Sequence, residues 1–268
     1  AVILQHPGHI LYTDAPDPEP APGEVIVRVH AASICGSDIL RVLHGAAKVL
    51  PIILGHEFSG EVVRLGDGVE ADWLGARVAV APLIPCHACP ACLRGLFAQC
   101  TAYSFIGSRR AGGFAELCAA PERNLVRLPA GLDFEQGALL EPVTVAIHAL
   151  ERGGMRPGAR VAVLGAGSIG QYAIQWARSV GAGLLVATDA VDDNLAWALR
   201  FGATYAFNPT RQDVVAAVRA LAPDGLDLVL ECAGRPETVA QAVQLAGPRG
   251  VVVMVGNQPK DAAVPAGV

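Results

Sequence analysis

No basic, apolar leader is expected from the first residues of the sequence. Its first segment, "AVILQHPGHILYTDAPDPEP", has no early Lys or Arg and soon turns polar and proline-rich, which speaks against a secretory signal. The chain also lacks a long apolar run. The longest uncharged stretch, Val161 to Ala177, is interrupted by three glycines, two glutamines and a serine, short of the about 20 mainly apolar residues that a membrane span requires. Charge of one sign is missing as well: 20 Lys and Arg stand against 25 Asp and Glu, scattered along the chain, for a net charge of −5. No basic face recommends nucleic acid as a partner. There are no internal repeats, and no low-complexity segment beyond the proline-rich start. The first residue is not Met, so the true start of the protein is expected to lie upstream.

Cysteine is present, at 35, 86, 89, 92, 100, 118 and 232. An odd count without a leader points to a reducing, cytoplasmic setting, where clustered thiols bind metal more often than they cross-link. Four of the seven lie in "CHACPACLRGLFAQC", with spacing C-x2-C-x2-C-x7-C over Cys86, Cys89, Cys92 and Cys100. Short gaps let one turn of backbone wrap a tetrahedral ion, and the longer gap returns the fourth sulfur. Four thiolates fill every position on zinc, so such a site is structural. Iron–sulfur ligation is the rival reading, disfavoured by the long last gap and the lack of a second cysteine group. His87, between the ligands, reads as a solvent-facing loop residue. Cys118 in "FAELCAA" and Cys232 in "LVLECAG" read as buried strand thiols.

The hydrophobic pattern divides the 268 residues in two. Up to about residue 140, short β-rich stretches ("EVIVRVHAAS", "EFSGEVVRLG", "ARVAVAP", "GGFAELCAA") alternate with turns, as in a compact β domain. After a helical "LEPVTVAIHAL", near-continuous apolar strands ("RVAVLG", "GLLVATD", "LDLVLECAG", "GVVVMVG") alternate with amphipathic helices. That is the pattern of a parallel sheet covered on both faces. The expected fold class is therefore α/β, with a β-rich domain over residues 1–145 and a doubly wound domain over 146–268.

The second domain carries G-x-G-x-x-G at Gly165, Gly167 and Gly170, between a strand and a helix. Gly165 suits the tight turn, Gly167 the approach of a pyrophosphate, and Gly170 close helix–strand packing. The helix that follows is expected to bury Ile169, Ala173, Trp176 and Val180, and its N-terminus, with Ser168 and Ile169, faces the phosphates with unpaired N–H groups. The next strand ends at Asp189, at the spacing of an acid that binds the adenine ribose hydroxyls. A carboxylate there repels a 2′-phosphate, so NAD is expected over NADP.

The first domain offers a second, open set of metal ligands: Cys35 in "CGSD", His56 and Glu57 in "GHEFSG", and Glu141 in the otherwise apolar "ALLEPVTVAIHAL". An unpaired carboxylate in apolar surroundings is costly. One Cys, one His and a carboxylate hold zinc while leaving a position for an alcohol oxygen, whose ionised form the zinc favours. An open zinc site and a dinucleotide turn together imply alcohol–carbonyl oxidoreduction.

At this point the chain resembles the zinc-dependent medium-chain dehydrogenases/reductases. "GHEFSGEVVRLGDGV", Gly55 to Val69, fits that family's G-H-E-x2-G-x5-G-x2-V signature, and the four-cysteine lobe, Glu141-Pro142 and the glycine-rich turn follow in the family's order. The resemblance implies a GroES-like catalytic domain followed by a Rossmann domain. It also implies one catalytic zinc on Cys35 and His56, with Glu57 or Glu141 as the third ligand; a glutamate at 141 resembles the polyol-dehydrogenase branch. Ser37 matches the relay hydroxyl that takes the substrate proton, and Asp38 would orient the site. Two positions depart from the pattern. Leu40 stands where simple alcohol dehydrogenases have a histidine, so proton exit would use water or the cofactor ribose, and Gly75-Ala76 replaces Gly-Asp.

"CGSDILRVL", "IPCHACPACLRGLFAQC" and "YSFIGSRRAGGFAE" resemble the branch that oxidises galactitol 1-phosphate. Arg109 and Arg110 then read either as phosphate clamps or as a solvated loop pair. Same-family alternatives are sorbitol, butanediol or threonine dehydrogenases; an alternative of another class is a non-catalytic NAD- and zinc-binding protein. Relatives continue beyond the fifth Rossmann strand, so the chain is expected to be truncated at its C-terminus and to form a homo-oligomer when full length.

Overall fold

The computed structural model describes residues 1–257. The chain divides into two compact units, Ala1–Glu141 and a second that begins at Pro142.

In chain order the first unit contains β1 (Val2–His6), β2 (His9–Tyr12), β3 (Glu24–Ser33), α1 (Gly36–His44), β4 (Ile52–Ile53), β5 (Glu57–Leu65), β6 (Arg77–Val80), β7 (Leu83–Ile84), α2 (Pro90–Leu93), β8 (Ser104–Phe105), β9 (Leu117–Pro121), β10 (Leu125–Arg127) and α3 (Phe134–Ala138). Its main sheet is antiparallel in the order β10-β6-β5-β3-β9. Alternation along the strands sends one set of side chains inward: Val25, Val27, Phe58, Val62, Val78 and Val80 form a single buried cluster, while Arg28, His30 and Ala32 of β3 face out. This is the period-2 pattern of a sheet packed on one side. Register then carries function. Ser33, the last residue of β3, pairs with Glu57, the first of β5. That pairing brings the loop holding Cys35 to the loop holding His56.

Helix α4 (Leu140–Arg152) crosses the division. The second unit continues with β11 (Arg160–Leu164), α5 (Ser168–Val180), β12 (Leu184–Thr188), α6 (Asp192–Arg200), β13 (Tyr205–Phe207), α7 (Val214–Leu221), β14 (Leu226–Glu231), α8 (Pro236–Leu245) and β15 (Ala246–Met254). Its sheet is parallel, ordered β13-β12-β11-β14-β15. Strand β11 shows why its sequence has no polar alternation. Val161 and Val163 pack under Ala173, Ile174 and Ala177 of α5, whereas Ala162 and Leu164 pack with Val218, Ala242 and Leu245 of α7 and α8. Both faces are covered, as the α/β expectation required. Strand order reverses between β11 and β14, the switch point whose carboxyl end takes the ligand in such sheets.

One expectation is corrected here. The buried face of α5 is Gly170, Ala173, Ile174 and Ala177, and Trp176 is 39 % exposed. Glycine and alanine at 170, 173 and 177 let the helix lie close to β11 with Ile174 beside them, and the indole is turned outward. Among the described residues no helix is long and apolar enough to cross a membrane.

Candidate active site

The open ligand set is built at the start of α1. Cys35 is the N-cap: its Sγ accepts from Ser37 N at 3.5 Å, and its own N–H donates to Asp38 Oδ2 at 3.2 Å, closing a capping box. The box satisfies orphan helix donors and fixes Cys35 and Asp38 together. Across the β3–β5 pairing, His56 and Glu57 are both buried, and Ser33 Oγ donates to Glu57 Oε2. Ligand atoms of Cys35, His56 and Glu57 all lie within 4.8 Å of one another, close enough for one ion to touch all three. Glu141 is not in that group. Its carboxyl lies near enough to feel His56, Glu57 and Asp38, and burial is the main cause that pushes its pKa upward.

The electrostatics fit a cation. His56 Nδ1 is 3.5 Å from Asp38 Oδ1, a charge contact too poorly formed to count as a hydrogen bond, so this buried nitrogen has no hydrogen-bond partner. Burial lowers the pKa of the imidazole, but Asp38 and Cys35 beside it prevail and raise it to about 10. Three carboxyl groups and a thiol thus converge on one imidazole, and a proton held there is the poorer substitute for a divalent ion.

The four-cysteine loop fits zinc geometrically. Cys86 and Cys92 Sγ are 4.0 Å apart, and Cys89 and Cys100 Sγ 3.9 Å; an ion with bonds of about 2.3 Å places tetrahedral sulfurs about 3.8 Å apart. Backbone N–H groups point at sulfur, Cys86 N to Cys100 Sγ at 3.2 Å and Cys89 N to Cys86 Sγ at 3.3 Å. Backbone donors lower the Cys86 thiol and bring Cys89 down to about 5, whereas burial is the first cause that raises Cys92 to about 12. All four ligand atoms lie within 4.8 Å of one another. His87 is exposed and sits edge-on to Phe97, outside the ligand group.

In the second unit Gly165 follows β11 with φ 96°, and a side chain there would meet the Ala233 backbone N at 2.7 Å. A side chain on Gly170 would strike the Gly165 carbonyl, whereas one on Gly167 would meet nothing within 4 Å. That open approach, at the first turn of α5 with Ser168 and Ile169, suits an incoming phosphate. Gly165, Gly167, Asp189 and Thr238 line a cavity of about 500 Å³. Both oxygens of Asp189 accept backbone N–H groups, from Ala166 and Val191, each at 2.8 Å. Opposite, Glu231 is fully buried and its Oε1 accepts from Ala233 N, Gly234 N and Thr238 Oγ1 at 2.6–2.9 Å.

The two loop arginines do not form a free pair. Arg110 donates to both Glu24 oxygens at 2.6 and 3.3 Å, and the Arg109 guanidinium lies 4.1 Å over the Tyr103 ring. Sequence reasoning missed Ser33, which holds Glu57, and Arg41, whose Nη1 reaches Ser37 and Asp38. The i, i+4 spacing of Ser37 and Arg41 was the available signal. Cys118 is a core thiol raised by burial to about 12. Cys232 is half-buried beside the glycine turn, its thiol likewise raised by burial to about 12.

Residues 21–130 match the alcohol dehydrogenase GroES-like domain, and residues 168–267 the zinc-binding dehydrogenase domain. Galactitol 1-phosphate 5-dehydrogenase of Escherichia coli K12 is 41% identical over 244 residues, covering 89% of this chain and 69% of that protein. The chain belongs to the zinc-binding alcohol dehydrogenase family. Sorbitol dehydrogenase of Bacillus subtilis is 32% identical, over 96% of this chain and 74% of that enzyme. The crystal structure of galactitol-1-phosphate dehydrogenase from E. coli superposes with a TM-score of 0.92 at 38% identity, covering 99% of this chain and 77% of that one. A zinc-binding dehydrogenase from Sinorhizobium meliloti, solved with NADP, superposes at 0.93 with 35% identity, covering 99% and 80%. The protein is thus an oxidoreductase of a family that uses zinc and NAD(P), with a small-molecule substrate.

Proposed function

We propose that the protein catalyses the NAD-linked oxidation of a secondary alcohol of a polyol or sugar-alcohol phosphate, similar to galactitol 1-phosphate, to the ketone. The observation that carries the reading is the convergence of Cys35, His56 and Glu57 at one point, with Glu141 close by. A zinc ion held there supplies Lewis acidity that favours the ionised form of a substrate hydroxyl. Cys35, His56 and Glu57 would hold the ion, with the Glu141 carboxyl close by. Ser37 accepts the hydroxyl proton and passes its own to solvent. The Gly165–Gly170 turn and the N-terminus of α5 bind the dinucleotide pyrophosphate. Asp189 sets a carboxylate beside that turn, which supports NAD over NADP. The four-cysteine loop holds a second, structural zinc.

The substrate assignment rests on similarity to the galactitol 1-phosphate enzyme. A specific observation favours the unphosphorylated alternative, a sorbitol-type substrate: the Arg110 fork is already taken by Glu24. NADH formation by the full-length protein with galactitol 1-phosphate and with sorbitol, each with and without a zinc chelator, decides between them. Chelator-sensitive turnover of the phosphate ester alone supports the first reading, and turnover of sorbitol alone the second. Activity on neither, with both zinc sites filled, would overturn the substrate class. The same reading expects a cytoplasmic homo-oligomer, which light scattering of the purified protein and cell fractionation test.

A further inference from the structure

Leu40 stands where simple alcohol dehydrogenases have a histidine, and its side chain can neither donate nor accept a proton. One residue on, Arg41 of α1 reaches the Ser37 hydroxyl and the Asp38 carboxylate. Its Nη1 lies 2.8 Å from Ser37 Oγ and 2.8 Å from Asp38 Oδ1, and its side chain is only 17 % exposed. We propose that Arg41 is a positioning residue for the Ser37 hydroxyl, standing in for the missing histidine by orienting the relay rather than by carrying the proton. The inference rests on the dehydrogenase reading above.

A guanidinium has five N–H donors and no acceptor, and a serine hydroxyl has one donor and two lone pairs. Arg41 therefore fixes Ser37 Oγ as an acceptor and occupies one of its lone pairs. What remains is one lone pair and one O–H, the pair of functions that a relay needs. In the oxidative direction the substrate hydroxyl gives its proton to that lone pair while Ser37 releases its own proton to a water molecule. The carbinol C–H leaves as hydride, two electrons with it, to the nicotinamide of NAD+. The C–O bond becomes C=O, and the products are ketone, NADH and a solvated proton. Without Arg41 that lone pair loses its fixed donor, and the hydroxyl is free to rotate among its staggered positions. Arg41 also braces Asp38, whose other oxygen holds the Cys35 N–H, so the same guanidinium ties the relay to the metal-binding loop.

The test is a mutant cycle on the full-length enzyme with its turned-over substrate: wild type, Arg41→Met, Arg41→Lys, Ser37→Ala, and each Arg41 variant combined with Ser37→Ala. Zinc per chain, kcat, both KM values and the kcat ratio in H2O and D2O are read for each. Arg41→Met is expected to keep its zinc and its KM values within about threefold, to lose about 10- to 100-fold in kcat, and to show a larger solvent isotope effect. Arg41→Lys recovers part of the loss. In the Ser37→Ala background either Arg41 change costs far less than in the wild type, because the two residues act as one unit and only the brace on Asp38 is left to lose. Losses that multiply in the double variants, or an unchanged kcat in Arg41→Met, overturn the proposal. Should Arg41→Met lose zinc, the Arg41→Lys cycle decides by the same criterion. A wild-type enzyme that forms no NADH from any polyol overturns the dehydrogenase reading and this inference with it, whereas an active wild type with multiplicative losses overturns this inference alone.

Discussion

Arg110 looks, in a sequence, like a cation waiting for a phosphate; in the fold it is the anchor of the loop between β8 and β9. Its guanidinium forks onto Glu24 at the start of β3 and also reaches the Ala119 carbonyl. The hydrogen bond from Arg110 is the main cause that holds the Glu24 carboxyl below its ordinary value. A depressed carboxylate pKa contributes stability above the unfolded value, near 4.5, and loses it as pH falls through the folded value. Glu24→Gln is therefore expected to cost about 1–2 kcal/mol at pH 7, the range for a half-buried charged hydrogen bond, and progressively less as pH falls through the folded value. Thermal melts of both proteins from pH 7 to pH 3 check this: the wild-type curve should fall toward that of the variant as acid is added. Parallel curves would mean that the pair contributes no pH-linked stability. The residue scale is also where the sequence was least legible. Cys35, His56 and Glu57 announce themselves through local motifs, but whether a given arginine is free, or which of two glutamates approaches the histidine, depends on strands far apart in the chain. Glu24 and Arg110 are brought together by the placement of β9 beside β3, which no local pattern displays.

At the scale of elements the chain was easier to read, because a longer element announces itself within its own residues. Strands β3, β5, β6 and β9 of the first unit, β11, β12, β14 and β15 of the second, and the helices α4, α6 and α7 follow from hydrophobic period, and the glycine turn from its spacing. Strands β1, β2, β4, β7, β8, β10 and β13 do not, most of them being too short for a period to show. The rotation of α5 did not, since an apolar indole scores as core, although the face that closely approaches β11 is Gly170, Ala173, Ile174 and Ala177. That approach separates the roles of two glycines. Gly170→Ala places a methyl against the Gly165 carbonyl, so helix or turn must shift, at a cost of about 1–3 kcal/mol. Gly167→Ala meets no protein atom and should leave stability within about 0.5 kcal/mol, while its methyl enters the space that a pyrophosphate would occupy. Urea melts paired with NADH fluorescence titrations are expected to show the crossing: lost stability in Gly170→Ala, and lost affinity, about tenfold or more, in Gly167→Ala, a change of about 1.4 kcal/mol. Weakened stability in Gly167→Ala with unchanged binding would place the dinucleotide elsewhere.

For the whole molecule, the distribution of chemistry between the two units makes a prediction that neither unit makes alone. Both candidate metal groups, Cys35 with His56 and Glu57 and the four cysteines from Cys86 to Cys100, lie in the first unit. The glycine turn, Asp189 and the buried Glu231 lie in the second, whose covered sheet supplies its own core on both faces. The four-cysteine lobe has little apolar core of its own: Cys92 and Cys100 are buried, yet Leu93 is 75 % exposed. Its fold is therefore expected to depend on a bound metal, as that of small metal-bound lobes does. Strong chelation should take about two zinc ions from each chain, abolish turnover and lower the melting temperature. Binding of NADH, followed by its fluorescence, should stay within about threefold, because its phosphate cradle is made of backbone that no metal holds. Cys92→Ser should remove only one of the two zinc ions and destabilise the lobe, whereas His56→Ala should remove the other and stop turnover with the lobe intact. Loss of NADH binding on chelation, in a protein whose circular dichroism is otherwise preserved, would show that the dinucleotide site depends on the metal sites of the first unit.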